Sequence, residues 1–231
     1  FLCATLIASP HDEDFARRRE AVDILNALLK EEPDHPGVAH YLIHACDNPK
    51  MRNEGLGAAR RYAQIAPDAP HALHMPSHIF ARLGYWQDDI QSNLASKAAA
   101  EKQADTPARS HAMDFLEYAY LQAGETDKAR AIEEEALRIP AADFTGSMAD
   151  HIFYLQVHFP SLLGLETRDW KAVSELRAPF NWLDNTGESY SGSYESGPHQ
   201  YIDVQRSLSL RTKGFGGREI RPIIALLGRI R

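Results

Sequence analysis

Two glycines forty residues apart, Gly84 and Gly124, constrain what this chain can fold into more than any other feature. Laying LGYWQDDI on AGETDKARAI superposes them, and a weaker echo, ETRDWKAV, follows at a similar distance. Each glycine lies between two stretches whose apolar residues recur at helical spacing, so the repeating unit is a helical hairpin that turns at glycine. A single hairpin of this length cannot cover its own apolar face, whereas several stacked in a row can. The expectation is an all-α solenoid of about four antiparallel helix pairs.

Taken in order, the spacing predicts a short apolar helix over 1–8 and a long one over 13–32. The long helix turns Phe15, Ala21, Ile24, Leu25, Leu28 and Leu29 inward, is capped by Ser9 or Asp12, and is stopped by Pro33 and Pro36. Further helices are expected at 37–45, 53–65, 71–83, 86–104, 110–122, 125–138, 148–165 and 169–176. Pro76 falls inside the 71–83 segment, where it lacks a backbone N–H and crowds the carbonyl of Ala72, so a kink or a fresh helix start is expected there. Periodicity fails after Pro179. Residues 1–178 are therefore read as the repeat domain and 179–231 as an irregular extension, rich in glycine and serine (YSGSYESGPH) and basic at its end.

Composition narrows the function classes. A net charge of −7 gives no basic face for a phosphate backbone, which argues against nucleic acid as a partner. No apolar run approaches the roughly 18 residues of a membrane span, so a soluble protein is expected, with compartment open and the cytoplasm as default. The opening FLCATLIA reads as the inside of a helix, which implies a processed or truncated N-terminus. Cys3 and Cys46 are too few for a disulfide framework or a thiolate zinc motif, and both are read as buried small residues.

Leu116, Tyr120, Gly124, Ala129, Ala136 and Pro140 occur in the order and approximate spacing of the tetratricopeptide pattern. On those residues the chain resembles the tetratricopeptide-repeat (TPR) superfamily. HPGVAHYLIH, AARRYAQIAPDAPHALHMPSHIF and the following LGYW narrow the likeness to a functionally uncharacterised group of bacterial TPR proteins. The resemblance implies a right-handed solenoid whose first helices line a concave groove, and it implies no activity. Members of that group have further helices before the segment matching FLCATLIASP, so the domain is expected to be partial at its N-terminus.

Six of the eleven histidines lie between His35 and Phe80. His40/His44 and His74/His78 are i,i+4 pairs, and His71 precedes His74 by three, so each set shares one helix face. Counted back from the turn glycines, His71 matches His111, His74 matches Asp114, and His78 matches Tyr118. Matching HYLIH to HMPSH places His40 over His74 and His44 over His78. Two facing rows of imidazoles at helix-packing distance form a plausible metal site. The candidate ligands are His40, His44, His74 and His78, with His71, His111 and Asp114 as further possibilities and a divalent transition metal (Zn, Cu or Fe) as cofactor. Asp47, Glu54, Asp114 and Glu117 are the carboxylates available to bind or to orient a ring.

Two functions fit this pattern. The first is a binding groove for a protein, a peptide or a small molecule, lined by histidine with Tyr41 and Tyr118, with or without bound metal. The alternative is a hydrolase using metal-activated water, with Asp114 or Glu117 as general base. Neither HYLIH nor HMPSH carries the glutamate of an HExxH metalloprotease helix, and Gly214-Phe215-Gly216-Gly217 lacks the strand and GK[ST] of a phosphate loop.

Overall fold

The computed structural model describes residues 2–9, 12, 14–140 and 158–176. Among them there are helices and turns but no strand. In order they are α1 (Leu2–Ile7), α2 (Ala16–Glu31), α3 (Pro36–Cys46), α4 (Leu56–Ile65), α5 (Pro70–His74), α6 (Pro76–Leu83), α7 (Trp86–Lys102), α8 (Thr106–Gln122), α9 (Thr126–Leu137), α10 (Phe159–Glu166) and α11 (Trp170–Glu175). The expected helix start at Met148 and the extension 179–231 lie outside the described residues. The chain divides into two compact units, Phe1–Ile132 and Glu133–Arg231.

In the first unit each helix packs on its neighbours in sequence: α1 on α2, α2 on α3, α3 on α4, α5 and α6 on α7, and α7 on α8. Their shared core comes from the apolar stripes the spacing predicts, except that Leu28 of α2, expected to face inward, is exposed where the end of the helix has no neighbour among the described residues to cover it. Ala21, Val22 and Leu25 of α2 meet Val38, Ala39, Leu42 and Ile43 of α3, with Ala58 and Ala59 of α4 and Met75, Ile79 and Phe80 beyond. Ile43 and Ile79 are fully buried, and truncating either to alanine would cost about 2–5 kcal/mol. Gly55 is needed where α4 enters this core, because a Cβ there would lie 2.7 Å from Ile79 Cδ1 and 2.8 Å from Cys46 Cβ.

The turn glycines explain the repeat. Gly84 and Gly124 are left-handed, with φ of 72° and 77°. Each is followed by the same six-to-one closure, Tyr85 N–H to the Phe80 carbonyl at 2.9 Å and Glu125 N–H to the Tyr120 carbonyl at 2.8 Å. The closure recurs after α7 and α10, where Asp105 N–H reaches Ala100 and Asp169 N–H reaches Gly164. There the left-handed residues are Ala104 and Arg168, at φ 54° and 60°. Arg168 is the reason ETRDWKAV reads as a weak echo: the backbone turn is kept and the glycine is not.

Helix starts follow from the prolines. Pro36, Pro70 and Pro76 each stand in the first turn of α3, α5 and α6, where a missing N–H costs nothing. The expected 71–83 helix is thus two, broken at Met75 and restarted by Pro76. His35 caps α3, its Nδ1 accepting from the Gly37 and Val38 amides at 3.1 and 3.3 Å. Asp12 caps the start of α2 by accepting from the Arg17 and Arg18 amides.

Candidate metal centre

The break at Pro76 leaves α5 only five residues long, with carbonyls that its own helix cannot satisfy. Helix α7 adds side-chain donors to this short segment. Ser92 Oγ donates to the Leu73 carbonyl at 2.6 Å and Ser96 Oγ to the Pro70 carbonyl at 2.8 Å. Between them Asn93, wholly buried, faces His74. The buried stripe of α7 is accordingly polar, with Asp89, Asn93 and Ser96 in places where a plain hairpin would carry apolar residues.

This stripe decides which nitrogen of His74 looks inward. The Asn93 amide Nδ2 donates to the Asp89 carbonyl at 3.1 Å and to Asp89 Oδ1 at 2.6 Å, which turns Asn93 Oδ1 toward His74 Nδ1, 2.7 Å away. An amide oxygen only accepts, so His74 carries its proton on Nδ1 and its Nε2 lone pair is bare. His78 is held in the same sense: its Nδ1 donates to Asp47 Oδ2 at 3.0 Å. Asp47 ends α3, and its other oxygen accepts from Arg82 Nε at 2.6 Å. Burial pushes the Asp47 carboxyl up, but His78 and the Arg82 guanidinium together outweigh it and leave it below the usual carboxylate range.

With both Nδ1 atoms engaged, the two Nε2 atoms face each other 3.1 Å apart. Two bare lone pairs at that distance repel, so a cation belongs between them, either an added proton or a metal ion. Ligand nitrogens about 2.0–2.1 Å from a tetrahedral zinc stand about 3.3 Å apart, close to the separation found. His111 of α8 completes a triad with His74 and His78, their donor atoms all within 4.8 Å of one another. Its ring centroid lies 4.3 Å from that of His74, and Phe115 closes the apolar side at 4.7 Å from the same ring. His74 and His78 are buried, and His111 is half-buried.

A second triad, His40, His44 and His71, also brings its donor atoms within 4.8 Å. His40 Nε2 lies 2.9 Å from His71 Nε2 and 3.1 Å from His44 Nε2. Here His71 is exposed and the other two are half-buried. Burial, then the neighbouring histidines, lowers His40 to about 4 and His44 to about 3, and the same causes in the same order lower His71. Burial and the rings of His111 and His78 drive His74 well down, against the bond to Asn93. Neutral imidazole is the metal-binding form.

The six candidate histidine ligands, His40, His44, His71, His74, His78 and His111, therefore come together, but in two sets of three rather than in one four-ligand site across two rows. His71 and His74 are three residues apart on the short α5, which packs on both α4 and α7 and touches α8. One ring turns back to α3 and the other forward to α8. Consequently His111 meets His74, one turn from the register counted from the glycines.

The remaining candidates are distributed as follows. Asp114 is half-buried and belongs to neither triad, although its charge helps to raise buried Asp89. Glu117 is fully buried on α8. Tyr41 is exposed with its ring 5.2 Å from His40, whereas Tyr118 packs edge-on against Trp86. Glu54 serves the surface, paired with Arg19 at 2.6 Å. Cys46 is buried, its thiol is pushed up to about 12, chiefly by burial, and it belongs to neither triad, whereas Cys3, also expected to be buried, is only half-buried. No helix among the described residues is long and apolar enough to cross a membrane. Neither a family model, nor a curated protein, nor a solved structure matches the chain.

Proposed function

We propose that this chain is a tetratricopeptide-like helical repeat protein that binds a divalent transition-metal ion at His74, His78 and His111. The single observation that carries the reading is the 3.1 Å approach of two Nε2 atoms whose rings are both anchored through Nδ1. Asp47 and Asn93 are the outer partners that a metal-binding imidazole usually has. The all-nitrogen donor set suits zinc or copper, and a carboxylate-loving ion such as magnesium or calcium would find little there. The repeated left-handed closures after α6, α7, α8 and α10 support the tetratricopeptide-like part of the reading. The groove lined by first helices would then be where a ligand or partner meets the ion.

Three histidines leave room at the ion for a further ligand, which favours metal-assisted hydrolysis as a second reading. Ions of this class act as Lewis acids when bound. Asp114, one turn beyond His111 on α8, or buried Glu117 farther along the same helix would be the carboxylate that handles a proton beside them.

The test is a calorimetric titration of untagged, metal-free protein with Zn²⁺, alongside His74→Ala and His78→Ala variants whose helicity is checked by circular dichroism. The reading expects a tight equivalent in the wild type that both variants lose. A wild type that takes up no zinc, copper or iron would end it.

A further inference from the structure

We propose that His40, His44 and His71 form a second, solvent-facing ion site from which the buried triad is loaded. This rests on the reading of His74, His78 and His111 as a metal site. It adds a route to that site and a stoichiometry of two.

The outer triad has its own geometric argument. Both short contacts use the same atom, His40 Nε2, which meets His71 Nε2 at 2.9 Å and His44 Nε2 at 3.1 Å. An imidazole nitrogen carries either one proton or one in-plane lone pair, and either of these serves one linear partner well. Protons alone therefore satisfy one contact at the expense of the other. A divalent ion accepts all three lone pairs at once.

Exposure and anchoring rank the two sites. His71 is exposed and its partners are half-buried, whereas His74 and His78 are buried. Among the described residues no carboxylate or amide side chain holds Nδ1 of His40, His44 or His71, in contrast to Asp47 on His78 and Asn93 on His74. Outer partners of that kind are worth about 10–100-fold in metal affinity, so the outer site is the weaker and faster one.

The two sites also share a wall. The His44 ring lies 5.9 Å from that of His78, and the His71 ring 6.4 Å from that of His74. Continuing through His40/His44 at 4.6 Å and His74/His78 at 5.0 Å, the imidazoles run without interruption from solvent to the buried site. An ion crossing it exchanges one nitrogen for the next, the Nε2 proton that bridges each pair in the metal-free chain moving to Nδ1 or leaving to solvent as the ion arrives, and it never has to shed its whole hydration shell at once. The chemistry recognised is a borderline or soft divalent cation, with zinc as the probe.

The experiment follows Zn²⁺ uptake by the full-length chain against a chromophoric chelator, at equilibrium and by stopped flow, in wild type, His40→Ala/His71→Ala and the milder His71→Gln. Wild type should bind two equivalents, one exchanging at least about ten times faster than the other. Both outer variants should retain only the tight equivalent and load it several-fold more slowly. A wild type with one equivalent, or outer variants that load the tight site at the wild-type rate, would overturn the loading route while leaving the buried site intact. Loss of all binding in the wild type would remove the buried site as well.

Discussion

Asp47, at the C-terminal end of α3, accepts the Nδ1 proton of His78 on α6 at 3.0 Å, with both side chains almost wholly buried. That one bond joins two helices far apart in sequence and sets which ring nitrogen of His78 faces His74. Arg82 holds the second carboxylate oxygen from the partly exposed side.

Asp47→Asn keeps an acceptor for His78 but removes the charge that Arg82 faces. Breaking a buried pair from one side costs about 3 kcal/mol, and losing an anionic outer partner costs about 10–100-fold in metal affinity. Urea unfolding and chelator competition read the two effects separately. Unchanged zinc affinity in a folded Asp47→Asn protein would mean that Asp47 does not tune the site.

Asp89 predicts the opposite response. It is buried on α7, and one of its oxygens has no hydrogen-bond partner among the described residues. Burial first, with Asp114 nearby adding to it against the bond from Asn93, raises it well above the ordinary value, so folding favours its neutral acid form. As pH rises past the ordinary carboxylate range the unfolded chain ionises before the folded chain does, so this group costs stability at neutral pH. Asp89→Asn keeps the acceptor for Asn93 without that cost. It should be neutral or stabilising by about 1 kcal/mol at pH 7, measured by the same urea curves. A large loss of stability would show that Asp89 is ionised and needed as such.

Acid should weaken the metal-free fold earlier than carboxylates alone would. His40 and His44 titrate near 4 and 3 in the folded chain, against an ordinary value of 6.5. Below 6.5 the unfolded chain binds more protons, so stability is complete above that pH and declines as pH falls toward 4. Asp47, held low, adds a loss at still lower pH as it is protonated. Melting temperatures of the metal-free protein should fall steadily from pH 7 to pH 4.5, and a flat profile would contradict the depressed histidines.

The repeated turns make a backbone prediction. Ala104 holds a left-handed φ of 54° without being glycine. Ala104→Gly should raise stability by about 0.5–1 kcal/mol, and Gly84→Ala should lower it by about 1 kcal/mol, because an added Cβ at Gly84 meets nothing closer than 3.9 Å and the cost is conformational. Differential scanning calorimetry distinguishes these from packing effects.

The helices were legible because their signals are local: apolar spacing, prolines in first turns, and glycines that allow positive φ. Pro76 announced the break between α5 and α6. The histidine triads were legible only as residues, since pairing depends on how α5 is rotated against α3 and α8, and a three-residue offset between His71 and His74 sends the rings opposite ways. Asn93 and Asp89 were missed, although they left a trace. A helix-spaced stripe of Asp89, Asn93 and Ser96 stands where α7 should be apolar, which marks a helix packed against exposed polar groups rather than against a plain core. Arg82 left no trace at all, because its partner is set by the turn after α3.

The most direct test of the metal centre is ¹⁵N NMR of the histidine side chains in the labelled full-length chain, before and after one equivalent of Zn²⁺. The account predicts that His74 and His78 carry protons on Nδ1 in both states and that zinc shifts their Nε2 resonances. Zinc acting through Nδ1, or leaving both rings unmoved, would contradict it.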